Sequence, residues 1–247
     1  PTITDASPSL AEASTYGNVV DLATTGDTSG LTWSISSGNT DSIFAIAAAT
    51  GAITVGSNTN LDYDSDSSYD LVVSATDGTT ADTETITITI TDVAPTVTDN
   101  DVSLAETASD DDVVATIVTT GDDSSITWSI SSGNTDSIFA IAAATGVITV
   151  DDNTNLDYES DTSYDLVISA TDGTTADTET ITITITDVAP TMTDTSASIA
   201  ETASDDAAVV TVSTSGDTSG LTWSISSGNT DSIFAIAAAT GAITVDS

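Results

Sequence analysis

The sequence contains no lysine, arginine, histidine or cysteine, whereas aspartate and glutamate together number 39 of its 247 residues. The formal net charge is therefore −39. Without side-chain cations the chain cannot displace the counterions of a phosphate backbone, which excludes nucleic-acid binding. Disulfides and lysine-based cross-links are excluded as well, so stiffness has to come from packing or from a bound cation.

Long apolar runs are also missing. No stretch of 18 apolar residues occurs, so the sequence predicts no membrane-spanning helix and no membrane insertion. A chain this acidic would be disordered if it were also poor in hydrophobic residues. Because 38% of the residues are hydrophobic and alternate with polar ones, we predict a folded chain.

The sequence repeats itself at an interval of 95 residues, which separates Trp33 from Trp128 and Trp128 from Trp223. Two long segments recur without change: 32–51 at 127–146 and 222–241, and 74–96 at 169–191. We therefore predict three modules that lie end to end, at 1–94, 95–189 and 190–247. The third is truncated before the counterparts of its last strands. We expect the sequence to be one part of a longer array, rather than a chain whose missing strands come from a neighbouring chain.

Within one module the hydrophobic pattern has a period of two. Ile86, Ile88 and Ile90 alternate with threonine, and a similar alternation begins at Tyr69. Such alternation is typical of strands with one buried side and one solvent-facing side. About seven such strands per module predict an all-β fold of tandem immunoglobulin-like, Greek-key β-sandwiches.

Each full module resembles the cadherin repeat. Four motifs occur in the family's order: F-A-I-A-A-A-T-G-A-I at Phe44, L-D-Y-D at Leu61, Y-D-L-V-V-S-A-T-D at Tyr69, and a threonine–isoleucine strand ending in D-V-A-P at Pro95. The second copy reads L-D-Y-E at Leu156, which is closer to the family form. The composition and the short linker are similar to the bacterial cadherin-like modules of large surface proteins.

The resemblance implies calcium ions between successive modules. Their ligands would come from a glutamate near the start of a module, the L-D-x-E acids, the linker, and two loops of the following module. The set carried over for the first junction is Glu12, Asp62, Asp64, Asp92, Asp122, Asp123 and Asp172. The set for the second junction is Glu106, Asp157, Glu159, Asp187 and Asp217.

The linker departs from the family pattern D-x-N-D-N-x-P because both asparagines are missing. We therefore expect one or two ions per junction instead of three, with Asp99 and Asp101 as acids that compensate. The residue types support the same expectation, because Ca²⁺ takes about six to eight oxygen ligands and carboxylates are its usual source. Asp62, Asp64 and Asp66 also alternate, which places their charges close together.

We predict an extracellular structural array, either secreted or on the cell surface, that forms a calcium-stiffened stalk or the body of a filament. Its partners are neighbouring modules or copies of the same protein, and a cell-surface or matrix ligand would bind elsewhere in the full-length protein. The alternative is an adhesive module with homophilic, carbohydrate or ice-surface binding. The ladder from Thr85 to Thr91 suggests an ice surface, although threonine also favours the wet side of any strand.

Catalysis is not predicted. The chain cannot form a Ser–His or Cys–His pair or a Schiff-base lysine, since it lacks those residue types. Paired carboxylates of the glycosidase kind remain. Here, however, the acids recur in every copy and fall at the predicted junctions rather than in a cleft, so we predict that the chain is not an enzyme.

Overall fold

The computed structural model describes residues 1–122 and 124–246. Asp123, one of the predicted calcium ligands, lies outside the described residues. Regular structure in the described part is β, apart from one 3-10 turn at Asn153–Asn155. That part holds no helix long and apolar enough to cross a membrane. The prediction of an all-β chain is confirmed.

Residues 2–91 form nine strands, and residues 96–186 repeat the same nine. The first nine are β1 (Thr2–Ile3), β2 (Ser9–Ala11), β3 (Asn18–Asp21), β4 (Thr24–Thr25), β5 (Thr32–Ser37), β6 (Phe44–Ile46), β7 (Ala52–Val55), β8 (Ser68–Thr76) and β9 (Ala81–Thr91). The second nine are β10 (Thr96–Val97), β11 (Val102–Ala105), β12 (Val113–Thr116), β13 (Thr119–Thr120), β14 (Thr127–Ser132), β15 (Phe139–Ile141), β16 (Val147–Val150), β17 (Ser163–Thr171) and β18 (Ala176–Thr186).

Residues 191–245 form five further strands among those described. They are β19 (Thr191–Met192), β20 (Ala208–Thr211), β21 (Thr214–Ser215), β22 (Phe234–Ile236) and β23 (Ala242–Val245). The pairings recorded for these strands all stay within 2–91, 96–186 or 191–245. The chain is therefore built from successive, separately paired units.

Each of the first two units contains a four-stranded sheet and a three-stranded sheet. In the first unit the orders are β2-β9-β8-β5 and β3-β7-β6, and in the second they are β11-β18-β17-β14 and β12-β16-β15. The pairs β2–β9 and β11–β18 are parallel, while the other pairs are antiparallel. The two remaining strands of each unit form a short ribbon, β1-β4 or β10-β13.

The core lies between the two sheets, because alternate residues of the long strands point inward. Leu71 and Val73 of β8, together with Ile86 and Ile88 of β9, are fully buried. The threonines between them on β9 face solvent or are half-buried. The same pattern recurs in β17 and β18. The period of two therefore predicted correctly which side of these strands is buried.

The predicted count of about seven strands agrees with the structure when two strands that are broken into short pieces are each counted once. The first strand divides into β1 and β2, and its copy divides in the same way into β10 and β11 although it contains no proline there. One piece then pairs with β4 and the other with β9. The second strand divides at Leu22 and Ala23 into β3 and β4.

The third unit shows that identical sequence does not suffice for a strand. Segment 222–227 has the same sequence as β5 and β14, yet it is not a strand. β5 and β14 pair with β8 and β17, and the sequence given contains no third copy of those strands. In agreement, Trp223 is only half-buried, whereas Trp33 and Trp128 are buried. Strand formation here depends on the partner, and not on local preference alone.

Gly38 offers a test of how closely the first unit is packed. Its φ is +88°, and a Cβ atom added there would lie 1.9 Å from the backbone oxygen of Asp70. Gly78 has nearly the same φ, +89°, but a Cβ atom there would meet nothing within 4 Å. Gly78→Ala is therefore a matched control for the cost of a positive φ alone, which is about 1 to 2 kcal/mol.

We expect Gly38→Ala to cost more than this control by at least about 1 to 3 kcal/mol, because strands β5 and β8 have to move apart. Hydrogen–deuterium exchange of segment 52–73 measures the stability of the first unit specifically, since this sequence differs from its copy at 147–168. Equal exchange rates in the two variants would contradict the contact between Gly38 and Asp70.

Candidate metal centre

Glu12 lies directly after β2 and is the buried centre of the first junction, with 7% of its surface exposed. Its Oε2 accepts a hydrogen bond from the backbone N–H of Tyr63 at 2.6 Å, and its Oε1 accepts one from the N–H of Val93 at 2.6 Å. One carboxylate thus joins the start of the module, the L-D-Y-D turn and the linker. Such charge-assisted bonds allow a buried carboxylate to stay ionised.

Glu106 repeats this arrangement at the second junction, with 6% of its surface exposed. It accepts hydrogen bonds from the N–H of Tyr158 at 2.9 Å and of Val188 at 2.6 Å. The third copy of this glutamate, Glu201, is exposed. The unit around Glu201 has no counterpart of β9, which brings the linker to Glu12. Burial of the glutamate therefore depends on the parallel pairing of β2 with β9, or of β11 with β18.

The L-D-Y-D motif forms a tight turn between Leu61 and β8. Asp62 accepts hydrogen bonds from the N–H of Asp64 at 3.0 Å and from the hydroxyl of Ser65 at 2.8 Å. Asp62 is half-buried and Asp64 is exposed, so the second carboxylate points out of the module. In the copy of this turn, Asp157 accepts from the hydroxyl of Ser160 at 2.7 Å.

The following module contributes two loops to the first junction. Asp122 lies between β13 and β14 and accepts a hydrogen bond from the N–H of Ser124 at 3.0 Å. Asp172 lies between β17 and β18 and accepts three hydrogen bonds from Thr174 and Thr175, each of 2.7 Å. Burial acts to raise the pKa of Asp172, but these bonds outweigh it and lower that pKa.

Carboxylates of the two modules meet at the first junction. The hydroxyl of Thr174 donates to Asp64 at 2.5 Å, which is a direct bond between the modules. Burial raises the pKa of Glu12, and the charges of Asp122 and Asp92 raise it further against the backbone hydrogen bonds. Burial likewise raises the pKa of Asp92, together with the charges of Asp172, Asp64 and Asp122. Asp92 therefore lies within electrostatic range of four other predicted ligands, which are Glu12, Asp64, Asp122 and Asp172.

Asp172 is covered by the preceding module. It has 7% of its surface exposed, whereas its sequence-identical counterpart Asp77, which has no preceding module in this chain, is more exposed. Because the surrounding sequence 74–96 is the same as 169–191, local structure does not account for the difference. The additional burial of Asp172 comes from the contact between modules.

The second junction contains the tightest group of carboxylates among the described residues. Glu106, Asp157 and Glu159 each offer one oxygen, and these oxygens lie within 4.8 Å of one another. A hydrogen bond from Ser160 lowers the pKa of Asp157, whereas the hydrogen bond that Glu159 shares with Asp157 raises the pKa of Glu159. These like charges are held close without a side-chain cation.

The third unit reaches this group through the loop that carries Asp217. The hydroxyl of Ser219 lies 3.2 Å from Asp157, 3.4 Å from Glu159 and 3.2 Å from Asp217, and it donates to one of them at a time. The charge of Asp217 also contributes to the raised pKa of Glu159. Asp217 therefore occupies the position at the second junction that Asp122 occupies at the first.

Three of the predicted acids differ from the others in their exposure or in their hydrogen bonds. Asp187 is exposed, unlike its counterpart Asp92, which is half-buried. Asp101 accepts a hydrogen bond from the N–H of Thr182 at 2.8 Å, in the middle of β18 and away from the loop of Asp172, and Asp99 is exposed. Asp101 therefore forms its hydrogen bond with the sheet of its own module and not with residues of the junction.

Sequence reasoning missed the hydroxyl groups at the junctions. Thr174 and Ser219 contact carboxylates of the preceding module, but no motif marks them. Thr79 has the same sequence context as Thr174, but the sequence given includes no module before it that could supply such a contact. The contact of Thr174 depends on the neighbouring module, and the local sequence therefore gives no signal for it.

A family model for the cadherin domain matches residues 18–91 and 100–186. The chain belongs to the cadherin domain family. Mouse cadherin EGF LAG seven-pass G-type receptor 2 is 34% identical over 179 residues, which covers 64% of this chain and 6% of the receptor. Human protocadherin Fat 1 is 33% identical over 173 residues, which covers 64% of this chain and 4% of that protein. The chain thus spans a small fraction of these relatives.

Two solved structures are similar in fold. Drosophila N-cadherin EC1-3 aligns with a TM-score of 0.46 at 17% identity and covers 100% of this chain and 86% of that one. Mouse cadherin-23 EC22-24 aligns with a TM-score of 0.39 at 19% identity, over 98% of this chain and 85% of that one. Because these scores are low, membership of the cadherin family depends on the family model. Cadherin domains are non-enzymatic, act in extracellular adhesion or structure, bind calcium and commonly contact neighbouring repeats or copies.

The raised pKa of Glu12 predicts a specific pH dependence in EDTA. A folded-state pKa above the ordinary value of 4.5 means that folding takes up a proton between the two values. The contribution of Glu12 to stability therefore increases as the pH falls from 7 toward 4.5. We expect Glu12→Gln, which cannot titrate, to reduce this increase.

Melting temperatures between pH 4.5 and 7 measure the effect, and Glu201→Gln is the matched control because Glu201 is the exposed copy. The control removes the same charge from the chain and accounts for the general loss of repulsion on acidification. If the two variants showed the same dependence on pH, the burial of Glu12 would not perturb its titration.

Proposed function

We propose that the chain is a stretch of an extracellular cadherin array in which calcium at each junction fixes the orientation of successive modules. The array then serves as a stalk or as the body of a filament. The observation that carries this proposal is the meeting of carboxylates from two modules at one place, in a chain without any side-chain cation. Without a cation between them, such like charges repel one another and drive the modules apart.

The donor set fits calcium. All of the side chains are carboxylates, which are the hard oxygen ligands that Ca²⁺ prefers. Oxygens bound to one Ca²⁺ lie about 2.3 to 2.6 Å from it, and hence within about 5 Å of one another. The oxygens of Glu106, Asp157 and Glu159 meet this condition, since all of them lie within 4.8 Å of one another. When bound, calcium would supply the positive charge that the chain itself lacks.

The chain's own residues supply the mechanical connection. Glu12 ties the turn at Tyr63 and the linker at Val93 to one carboxylate, so these two backbone segments cannot move independently. The linker between Asp92 and Pro95 is short, and Pro95 is buried. A change in the charge around Glu12 therefore alters the direction in which the next module begins.

We propose the ligand sets by junction. The first set is Glu12, Asp62, Asp64, Asp92, Asp122, Asp123 and Asp172, and the second is Glu106, Asp157, Glu159, Asp187 and Asp217. We also propose one or two ions per junction and module boundaries at 94/95 and 189/190. These boundaries fall in the linkers that follow β9 and β18, where no described strand pairing crosses.

Homophilic, carbohydrate or ice-surface binding stays the alternative prediction. The threonine ladder of β9 is partly engaged in the sheet, because the hydroxyl of Thr87 donates to Asp70 at 2.6 Å and that of Thr91 lies 3.4 Å from the oxygen of Leu10. These contacts account for two of the four threonines as parts of the sheet. No observation in the described residues favours a specific adhesive ligand.

Calcium should stabilise the full chain against heat. A ligand that binds only the folded state adds about 2.7 kcal/mol at 100 times its dissociation constant. We expect a rise of several degrees in melting temperature between EDTA and millimolar Ca²⁺, and binding detected by isothermal titration calorimetry.

Asp122→Asn should weaken this binding, and Asp27→Asn is the matched control. Asp27 occupies the same loop of the first module and accepts the same local hydrogen bond, from the N–H of Ser29 at 3.0 Å, but the sequence given includes no module before it with which to form a junction. If Asp27→Asn weakened calcium binding as much as Asp122→Asn, the site would not lie at the junction. If neither EDTA nor substitution had an effect, the calcium proposal would be wrong.

Small-angle X-ray scattering tests the stiffening itself. We expect the maximum dimension of the full chain to increase, and its distance distribution to narrow, when Ca²⁺ replaces EDTA. Glu12→Gln should broaden the distribution in Ca²⁺, whereas Glu201→Gln should leave it unchanged. Identical scattering curves with and without Ca²⁺ would contradict a stalk whose rigidity depends on the ions, even if calcium binds.

A further inference from the structure

The turn between β8 and β9 contains an Asp–Gly dipeptide, Asp77-Gly78, and the turn between β17 and β18 contains its copy, Asp172-Gly173. Asp–Gly links are chemically weak in flexible chains, because glycine has no side chain to keep its amide nitrogen away from the preceding carboxyl group. Asp172 is also a proposed calcium ligand, but that role does not explain how either Asp–Gly link persists in such a turn.

The reaction in question is the formation of isoaspartate. The nitrogen of the glycine attacks Cγ of the protonated aspartate side chain, a C–N bond forms, and the side-chain hydroxyl and the amide proton leave as one water molecule. Water then opens the resulting succinimide at either carbonyl group and restores aspartate or leaves isoaspartate. The net mass is unchanged, and no reactant other than water is consumed. The reaction requires a free amide nitrogen close to Cγ.

Hydrogen bonds in the turn oppose this reaction in two ways, because they engage the amide nitrogen of the glycine and bind the carboxylate of the aspartate. The N–H of Gly78 donates to Oγ1 of Thr76 at 3.1 Å, and that hydroxyl donates in turn to the backbone oxygen of Thr80 at 2.9 Å. The side chain of Asp77 accepts hydrogen bonds from the N–H groups of Thr79 and Thr80 at 2.7 Å each, and from the hydroxyl of Thr80 at 2.8 Å. The nitrogen is thus occupied by the residue before the dipeptide, while the carboxylate is bound by the residues after it.

The copy in the second module has the same hydrogen bonds. The N–H of Gly173 donates to Oγ1 of Thr171 at 3.1 Å, and Asp172 accepts its three bonds from Thr174 and Thr175. We call this set of hydrogen bonds around an Asp–Gly pair the threonine clasp. The two copies share the whole sequence of 74–96 and 169–191, so the arrangement accompanies this repeated sequence.

We propose that the threonine clasp protects the Asp–Gly links from isoaspartate formation, with Thr76 and Thr171 as the positioning residues that hold the glycine nitrogen. The second copy is protected further. Asp172 is buried, and Thr174 is bound to Asp64 of the preceding module, whereas the loop of Asp77 is free of such a contact in this chain. Isoaspartate therefore accumulates faster at Asp77 than at Asp172.

The test is to age the full chain at 37 °C and neutral pH and to follow isoaspartate at both positions. Chymotryptic peptides that begin after Leu71 and Leu166 differ in sequence, V-V against V-I, so the two sites are separated by mass. Electron-transfer fragmentation then distinguishes isoaspartate from aspartate. The same chain in concentrated urea gives the unprotected rate. In buffer we expect both sites to be slower than in urea, and Asp172 to be slower than Asp77.

Thr76→Val removes the acceptor for Gly78 and should accelerate isoaspartate formation at Asp77 about tenfold, which corresponds to about 1.4 kcal/mol. Thr76→Ser restores a hydroxyl and should restore the slow rate. The matched control is Thr32→Val, because Thr32 pairs with Thr76 across β5 and β8 but does not bond to Gly78. In each variant the Asp172 site of the same molecule serves as an internal standard.

The outcomes decide the proposal. Acceleration by Thr76→Val, but not by Thr32→Val or Thr76→Ser, supports it. Equal acceleration by both valine variants would mean that strand stability alone controls the reaction, which overturns it. A folded-state rate equal to the rate in urea would also overturn it, since the clasp would then offer no protection.

Discussion

A carboxylate can be buried only if hydrogen-bond donors or a cation lie beside it, and this chain has no side-chain cation. The rest of the structure depends on how that constraint is met. Glu12 and Glu106 meet it with backbone N–H groups from the turn and from the linker. Within the described residues, no buried side-chain polar atom lacks a partner. The backbone of the junction is thus organised around two glutamates.

Backbone donors satisfy individual carboxylates, but they do not remove the repulsion between them. The acids of the linker, the turn and the two loops of the next module approach one another from different directions, and their charges raise the cost of ionising Glu12 and Asp92. Donors between modules at these junctions include the hydroxyl groups of Thr174 and Ser219 and the backbone N–H of Asp217, which donates to the oxygen of Val188 at 3.2 Å. This remaining repulsion is the reason for proposing a divalent cation at each junction.

Much of the fold was accessible from the sequence, because alternation on β8 and β9 and exact repetition are strong signals. The breaks between β1 and β2 and between β3 and β4 were not, since they arise from pairing with two different sheets. At the junction, the acids themselves came from the resemblance to cadherin repeats. The bond between Thr174 and Asp64 was beyond prediction, because Thr79 has the same local sequence and a different environment.

The identity of β5 and β14 in sequence bears on how such an array folds. In the described structure each of these strands pairs with the long strand of its own module, β5 with β8 and β14 with β17. Because β5 and β14 are identical in sequence, β14 matches β8 of the preceding module as well as β5 does. Only the shorter loop between β5 and β8 favours the correct partner, and the entropy of loop closure rises slowly with length. Emergence of the chain from one end, module by module, therefore guards against exchange of strands between neighbours.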